Sequence, residues 1–306
     1  MPSPSQIRVI DPILSRVAQG YRNAELVGYS LFPSVPVMAS GGQIIEFGKD
    51  DFVLESTQRA PGGNVITIEY GHLGKPYALE AHSAEGLVPM EYKRDAIAVP
   101  GIDLGARAVR RTLAKMLLGL EKQQADLART AANYPSTNKV NISATPWTDK
   151  TNGNPTADIE TAKNAIRSQV GVMPTTVVLS AKAFAAARAH PLLLDRFKYT
   201  GRDSITAEML AAIWDVQSVK VGGAVTSTAG TLSDVWGVDV VVAYVPTTVD
   251  GMEMPSYGYT YEMEGNPVVE EAYYFQPRKS WMYPVTHERV PVLSGINSGY
   301  LIQNAA

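Results

Sequence analysis

The sequence predicts an α+β fold, in which helices and strands fall mainly in separate stretches of the chain. Three observations predict this class. Apolar residues recur about every 3.6 positions over residues 103–132, which is the pattern of one long amphipathic helix. Short helix and strand patterns then follow one another from residue 156. From Tyr257 onward the chain is aromatic and strand-like.

Residues 1–40 are predicted to form an extended arm with one short helix at residues 12–19. Proline, which interrupts helices, recurs along the arm at Pro2, Pro4, Pro12, Pro33 and Pro36. The arm also carries apolar side chains that need a surface to cover them. The sequence leaves two such surfaces open, the arm's own domain and a neighbouring subunit.

Residues 41–75 are bounded by glycines and predict a long hairpin, with strands at residues 43–47 and 64–70. Ile66, Ile68 and Tyr70 fall on one face of the second strand, which gives the ribbon an apolar side. Because a two-stranded ribbon is marginally stable alone, we expect it to lie on a partner subunit. The alternative is a hairpin at the edge of the parent sheet. The pair Asp50-Asp51 near the tip is expected to be solvated rather than to hold a cation.

Residues 103–132 give the strongest helix pattern, with Asp103 as the predicted N-cap. Such a helix is on the order of 40 Å long, which suggests a structural spine. Four basic residues lie on its polar side, Arg107, Arg110, Arg111 and Lys115. We expect this face to be solvated or to form salt bridges between subunits. A nucleic-acid surface is less favoured, since the formal net charge of the chain is −3.

Residues 133–155 form a polar linker with one predicted strand at residues 139–143. Thr156 is the predicted cap of the next helix and Gly171 its predicted stop. Helices are predicted at residues 156–169, 181–190, 191–199 and 206–214. Strands are predicted at residues 175–179, 219–221, 238–245, 257–261, 268–275, 280–285 and, with turn breaks, 290–302.

A search for chemical motifs is negative. The sequence has no cysteine, which excludes disulfides and thiolate metal sites. The histidines, none of which pair at i, i+4, are His72, His82, His190 and His287. There is no Gly-x-Ser-x-Gly elbow, and Gly222-Gly223 lacks the Lys-Ser/Thr of a phosphate loop. We therefore predict no catalytic, cofactor-binding or metal-binding residues, no cofactor and no enzymatic activity.

Membrane signals are also missing from the sequence. No apolar run approaches the ~20 residues that span a bilayer. The first residues lack the pattern of a signal peptide. We expect a soluble intracellular product without a membrane partner.

Several stretches of the sequence are similar to those of one known family of proteins. They are PTTVVLSAKAFAAARAHPLLLDRFKYT at residues 174–200, LAAIWDVQSVKVGGAV at 210–225, WGVDVVVAYVP at 236–246, and then SYGYTYEMEGNPVVEE and RKSWMYPV. These stretches, in the order arm, hairpin, long helix, α/β region and closing strands, resemble the major capsid proteins of tailed bacteriophages. Those proteins have the Hong Kong 97-type fold.

The resemblance implies a division of the chain into the parts of that fold. They are an N-arm (1–40), an E-loop hairpin (41–75), a P-domain (76–155) with a spine helix (103–132), an A-domain (156–262) and a return to the P-domain (263–306). Loops 201–206 and 246–255 of the A-domain would then face the capsomer axis. Lys49 lies where some members carry a cross-linking lysine, but no matching Asn or Glu is found by motif, so no cross-link is expected.

The resemblance also implies a function. The chain would be a structural subunit of an icosahedral phage head, assembling into hexamers and pentamers around packaged double-stranded DNA. Its implied partners are itself, a separate scaffolding protein and a portal, with a decoration protein left open and DNA contacted only non-specifically. Its implied location is the virion, after assembly in the cytoplasm of the bacterial host. Two alternatives remain, the shell of a bacterial encapsulin-type nanocompartment and an α/β enzyme with an unrecognised site.

Overall fold

The computed structural model describes residues 11–19, 25–46, 58, 73–97, 103–197, 205–228, 230–246 and 256–306. Its helices are α1 (Pro12–Gln19), α2 (Met90–Ile97), α3 (Leu104–Arg129), α4 (Pro155–Val170), α5 (Ala181–Arg188), α6 (Pro191–Phe197) and α7 (Ala207–Trp214). Its strands are β1 (Ser34–Val37), β2 (Gly41–Glu46), β3 (Leu73–Ala78), β4 (Glu80–Pro89), β5 (Lys139–Asn141), β6 (Thr176–Ser180), β7 (Ser218–Gly222), β8 (Val225–Thr228), β9 (Thr231–Asp234), β10 (Val240–Ala243), β11 (Gly258–Met263), β12 (Val268–Val269), β13 (Tyr273–Phe275), β14 (Ser280–Leu293) and β15 (Gly299–Gln303).

A six-stranded sheet is organised around the 14-residue strand β14. β11, β12 and β13 pair along one edge of β14, and β4 pairs along the other, all antiparallel. β1 extends the sheet by pairing in parallel with β11. The long helix α3 packs on one face, where Leu113, Leu117 and Val285 belong to a buried apolar core.

Gly86 allows α3 to approach β4 closely. A Cβ built on Gly86 would lie 3.0 Å from the Cβ of Ala108 and 3.0 Å from Oγ1 of Thr112. A side chain there would push the helix away from the sheet, so the crossing requires glycine at this strand position.

A second, five-stranded sheet has the order β5-β15-β10-β6-β7. Every residue of β6 and β10 is buried, as expected for central strands covered on both faces. On one face α4 and α7 enclose a core that contains Ile159, Trp147 and Trp214, and the two tryptophan rings lie 6.3 Å apart. The predicted α/β region is therefore built around this sheet.

The ribbon formed by β2 and β3 pairs only with itself within the described part of the chain. Its base nevertheless packs on the larger sheet, where Tyr77 stacks on Tyr261 with ring centroids 4.2 Å apart. Ile44 is buried in the same cluster beside Val35. The strand predicted at residues 43–47 corresponds to β2. The strand predicted at 64–70 lies outside the described residues, as do Lys49, Asp50, Asp51 and His72.

The helix predicted at residues 12–19 is confirmed by α1. The spine helix is also confirmed, with its N-cap, since the Asp103 side chain accepts a hydrogen bond from the backbone N of Ala106. Its predicted end at residue 132 is wrong by three positions. Thr130 leaves the helical conformation with ψ 104°, and the chain continues in a 3₁₀ turn, Ala131–Asn133. The 26 helical residues span about 39 Å.

The helix predicted from residue 156 begins one residue earlier, and Thr156 is not its cap. The Asn154 side chain accepts from Ala157, and Pro155 takes the first helical position, where a missing N–H costs nothing. Gly171 ends the helix as predicted, with φ 73°. The other helices and strands of this region appear where they are predicted, with ends that differ by at most two residues.

The closing strands differ most from prediction. Residues 280–293 form one strand, β14, instead of two separated by a break. Polar residues between the two predicted strands, His287 and Arg289 among them, are buried under α3 in the middle of β14. Several further elements were not predicted: α2, β1, β3, β4 and the hairpin of β8 with β9.

Candidate assembly interface

The described residues contain no group of three His, Asp or Glu side chains that could hold a metal ion. No described helix is both long and apolar enough to cross a membrane. His190 is fully buried, and its Nδ1 accepts a hydrogen bond from the backbone N of Leu192. His82 and His287, by contrast, face each other across β4 and β14. Sequence inspection missed this pair because it joins strands that lie far apart along the chain.

His287 belongs to a buried polar cluster beneath α3. Its Nε2 lies 3.7 Å from Oε1 of Glu262, and the Tyr29 hydroxyl donates to the same oxygen at 3.3 Å. Burial alone would raise the pKa of Glu262, but His287 and the hydroxyls of Ser34 and Tyr29 lower it. Arg289 extends the cluster, since its Nη2 donates to the backbone O of Met116 in α3 at 2.6 Å. The cluster fastens the spine helix to the sheet.

The strand β4 forms an edge of the larger sheet. It pairs with β14 over all ten residues, and no strand pairs with its other edge within the described part of the chain. Its exposed residues are Glu80, Ala81, Ser83, Glu85 and Leu87. Long edges of this kind are open to pairing with another chain, and natural proteins usually protect them with lysine, proline or a bulge.

A groove of about 680 Å³ runs between β4 and α3. Arg107, Arg111 and Lys115 line it, and their spacing of four residues places them on one stripe of the helix. None of the ion pairs among the described residues involves these three side chains. We call this feature the cation groove. It presents three positive charges beside an open strand edge, and its lining also includes the acidic Glu85 of β4.

Exposed apolar side chains gather on both faces at the end of the same sheet, and we call this region the apolar tip. Six large side chains with exposed fractions between 37% and 65% form it: Leu87, Met90, Tyr92, Tyr273, Tyr274 and Phe275. The Tyr273 hydroxyl donates to Glu85 at 2.9 Å, and the Tyr274 ring lies 5.8 Å from the ring of Trp281. These contacts hold the side chains in place, which lowers the entropy cost of binding a partner. Contiguous apolar patches on a surface mark sites of association.

The described parts of the N-terminal region pack on their own subunit. The backbone N of Asp11 donates to the backbone O of Val269, and Leu31 and Phe32 are fully buried. The carboxylate of Glu121 accepts hydrogen bonds from the backbone N of Val27 and of Gly28, at 3.0 and 2.8 Å. Leu31 and Phe32 therefore pack on the arm's own domain, whereas Ile13 and Met38 are 75% and 86% exposed, and contact of the arm with a neighbouring subunit stays a prediction.

Comparison with known proteins gives the context for these surfaces. The model of the family described as phage major capsid protein E matches residues 113–276. The major capsid protein of Burkholderia phage BcepMu is 35% identical over 304 residues, which cover 97% of each chain. The chain belongs to the phage major capsid protein family.

Solved structures agree with this membership. A phage-related protein from Bordetella bronchiseptica is 45% identical, covers 98% of both chains and superposes with a TM-score of 0.84. The capsid of cyanophage P-SCSP1u shares the fold at only 8% identity, with a TM-score of 0.57 over 89% of this chain and 86% of the other. The resemblance to the Hong Kong 97-type fold is therefore confirmed, and the predicted α+β class with it.

The family assigns the chain a structural role as a shell subunit of phage heads, located in the virion. Identity with a phage protein over nearly the whole length favours a phage head over a nanocompartment shell. For a shell subunit, the functional surfaces are those that contact other copies of the chain. Sequence inspection found the cations of α3, but the edge strand and the apolar tip come from pairings between residues 80–89 and 273–289, which no local pattern reveals.

Proposed function

We propose that this chain assembles into hexamers and pentamers that close as an icosahedral head around packaged double-stranded DNA. The observation that carries the proposal is the open edge of β4, which is ten residues long and lies beside the cation groove. An extended segment of a neighbouring copy can pair with this edge and supply the missing main-chain hydrogen bonds.

The hairpin of a neighbouring copy is the segment we assign to the groove. Its sequence carries Asp50 and Asp51 close to the tip, and these charges complement Arg107, Arg111 and Lys115. Opposite charges across an interface chiefly set orientation and speed of association, while buried apolar area supplies most of the affinity. The apolar side of the hairpin and the apolar tip provide such area.

The apolar tip is assigned to contacts between capsomers. It lies at the end of the long β4–β14 pair, far along the sheet from β1. Apolar surface contributes roughly 25 cal/mol per Å² removed from water, so a repeated contact of six large side chains stabilises a closed shell.

The domain division implied by the sequence belongs to the same proposal. The arm (1–40) and hairpin (41–75) extend the subunit, α3 and the larger sheet form the P-domain (76–155 with 263–306), and the five-stranded sheet forms most of the A-domain (156–262). Loops 201–206 and 246–255 would face the capsomer axis, although most of their residues lie outside the described part of the chain. A separate scaffolding protein and a portal complete the assembly in the host cytoplasm, and the subunit contacts DNA non-specifically and catalyses no reaction.

Assembly is tested on the purified chain, alone and with co-expressed scaffolding protein. Light scattering after size-exclusion chromatography and negative-stain microscopy should show capsomers or closed shells. The triple variant Arg107→Glu, Arg111→Glu, Lys115→Glu should stay folded and lose assembly. A matched variant reverses three exposed cations outside the groove, Lys150, Arg167 and Lys220, and should assemble normally. A wild-type chain that remains monomeric at all concentrations contradicts the proposed function.

A further inference from the structure

A second pocket lies beneath the middle of α3, farther along the same strand as the cation groove. Its volume is about 370 Å³, within the range of small ligand sites. Arg289 of β14, His82 of β4, and Gln123 and Gly119 of α3 line it. Three of these four residues have polar side chains, and the proposed function assigns no role to them.

Arg289 is the charged group of the pocket. Its side chain is buried, with the residue only 2% exposed, and its Nη2 donates to the backbone O of Met116. Its Nε and Nη1 have no hydrogen-bond partner among the described residues. Burial lowers the pKa of Arg289 to about 10, so the guanidinium remains charged at neutral pH. Glu262 lies near enough to raise the pKa of Arg289, yet Nε and Nη1 still lack an acceptor, so the guanidinium has donors left to bind an anion.

The two polar neighbours of Arg289 are also unsatisfied. His82 Nε2 and Gln123 Oε1 are buried without hydrogen-bond partners in the described part of the chain. Burial and the charge of Arg289 lower the pKa of His82, so Arg289 is the permanent cation of this site. The Gln123 amide can turn its NH₂ into the pocket, since the two ends of an amide are nearly indistinguishable in position. Polar groups from three elements, β14, β4 and α3, therefore line the same pocket.

Gly119 leaves the space open on the helix side. A Cβ built on Gly119 meets no atom within 4 Å. Glycine is a poor residue for the middle of a long helix, and alanine would fit here without any contact. Gly119 is exposed and also lines the pocket, so a group can approach Arg289 over this position from outside the subunit.

We propose that this pocket receives the carboxylate of an aspartate or glutamate from a second copy of the chain, with Arg289 as its principal partner. The inference rests on the proposed function, because self-assembly brings such a side chain to the pocket. The single positive charge of Arg289 is balanced by the single negative charge of one carboxylate. Nucleic-acid phosphates are bound by clusters of Lys and Arg, whereas here Glu80 lies 3.6 Å from His82 and Glu262 lies near Arg289. The chain itself supplies 30 acidic residues as candidates.

The test fills the pocket without removing a charge. Gly119→Leu places a large side chain in the open space, and Gly119→Ala is the matched control that adds one methyl group. We expect both subunits to unfold at or above the wild-type temperature, because both replace a helical glycine. Gly119→Leu should reduce particle yield at a given concentration at least about tenfold, whereas Gly119→Ala should assemble as the wild type does.

A second variant removes the charge. Arg289→Met keeps the bulk of the side chain but removes the hydrogen bond to the backbone O of Met116, so its thermal unfolding is measured before its assembly. We expect a folded subunit with the same assembly defect as Gly119→Leu. Thermal unfolding of wild-type subunits is also measured with added inorganic phosphate. This measurement distinguishes a free anion from a carboxylate of a second copy as the ligand of the pocket. No shift in unfolding temperature, together with both assembly defects, supports a carboxylate of a second copy.

Two results overturn the inference. Normal particles from Gly119→Leu mean that the pocket only holds solvent. A phosphate-dependent rise in unfolding temperature that is absent from Arg289→Met, with normal assembly of both variants, identifies a site for a free anion instead. The wild type is measured first, so that its failure to assemble counts against the proposed function and not against the pocket.

Discussion

Nε1 of Trp236 donates a hydrogen bond to Oε1 of Glu121, with 2.7 Å between the two atoms. Trp236 precedes β10 of the five-stranded sheet, and Glu121 lies in the spine helix. The same carboxylate accepts from the backbone N of Val27 and Gly28. One side chain of α3 therefore joins the end of the arm to the region that carries the second sheet.

Replacing Glu121 by alanine is expected to weaken this junction strongly. The change leaves two backbone N–H groups and the Trp236 indole N–H buried without an acceptor, and each such group costs about 1–3 kcal/mol. The free energy of unfolding should therefore fall by about 3 kcal/mol or more, measured by urea denaturation of the subunit. Lys122→Ala is the control, since it removes only the exposed pair with Asp126 and should cost at most about 0.5 kcal/mol. Equal losses in the two variants would contradict the role given to Glu121.

The pH dependence of stability gives a separate test of Glu121. Burial raises its pKa above the ordinary 4.5, although the hydrogen bonds from Trp236, Gly28 and Val27 oppose the rise. The folded state thus holds the proton more tightly than the unfolded state. The resulting stabilisation is fully present below the unfolded pKa and is lost as pH rises through the folded pKa.

Glu121→Gln does not titrate at this position, so the stability of the wild type relative to this variant should decline as pH is raised from about 4.5. Glu262 provides the opposite case. Its pKa is lowered, so its contribution is present above the unfolded pKa and is lost as pH falls through the folded pKa. Relative to Glu262→Gln, the wild type should lose stability as the solution is acidified. Urea denaturation across the pH range measures how the free energy of unfolding of the wild type, relative to each variant, changes with pH. Slopes of the same sign for Glu121 and Glu262 would contradict the opposite pKa shifts given to them.

Two adjacent glycines predict opposite effects of the same substitution. A Cβ on Gly222 would lie 2.2 Å from Cδ1 of Trp236, whereas a Cβ on Gly223 meets no atom within 4 Å. Gly222→Ala should overpack the core and cost about 1–3 kcal/mol. Gly223→Ala should change the free energy of unfolding by less than about 0.5 kcal/mol. Thermal or urea unfolding of the two single variants measures both effects. Similar losses in the free energy of unfolding would mean that Trp236 moves aside freely.

Local patterns in the sequence predict the helices well, because a cap such as Asp103 or a stop such as Gly171 acts within one turn. The interface surfaces depend on pairings that no local pattern contains. β4 becomes an edge strand only because β14 pairs with it from about 200 residues away. Arg289 lies between two predicted strands, yet it is buried within β14 because α3 crosses above it. Long-range contacts of this kind place the cation groove and the pocket around Arg289.

The apolar tip should be needed for assembly and nearly neutral for the subunit. The combined change Tyr273→Ser, Tyr274→Ser, Phe275→Ser removes three side chains that are 43%, 37% and 38% exposed. Surface changes of this kind usually alter stability by no more than about 0.5 kcal/mol each. Shell formation should be lost, as seen by negative-stain microscopy. Leu232→Ser on β9, where the side chain is 70% exposed, is the control and should leave shells unchanged.

The hairpin is expected to be required for assembly and dispensable for folding. The base of the ribbon is held by its own subunit, since β2 and β3 pair from Gly41 with Ala78 to Glu46 with Leu73. Tyr77 also stacks on Tyr261 of the larger sheet. Residues 49–63 lie beyond this base. Replacing them with a short Gly-Ser turn should leave a soluble, helical subunit with a cooperative unfolding transition.

The trimmed subunit should fail to close shells, because a neighbour's β4 edge and cation groove lose the segment that we assign to them. Circular dichroism, thermal unfolding and negative-stain microscopy of the same preparation measure folding and assembly together. Normal particles would show that the hairpin is not an assembly element. Failure to fold would show that residues 49–63 belong to the core, as in the alternative of a hairpin at the edge of the parent sheet. Loss of shells with an intact unfolding transition is the expected outcome, and it places the contribution of the hairpin between subunits rather than within one.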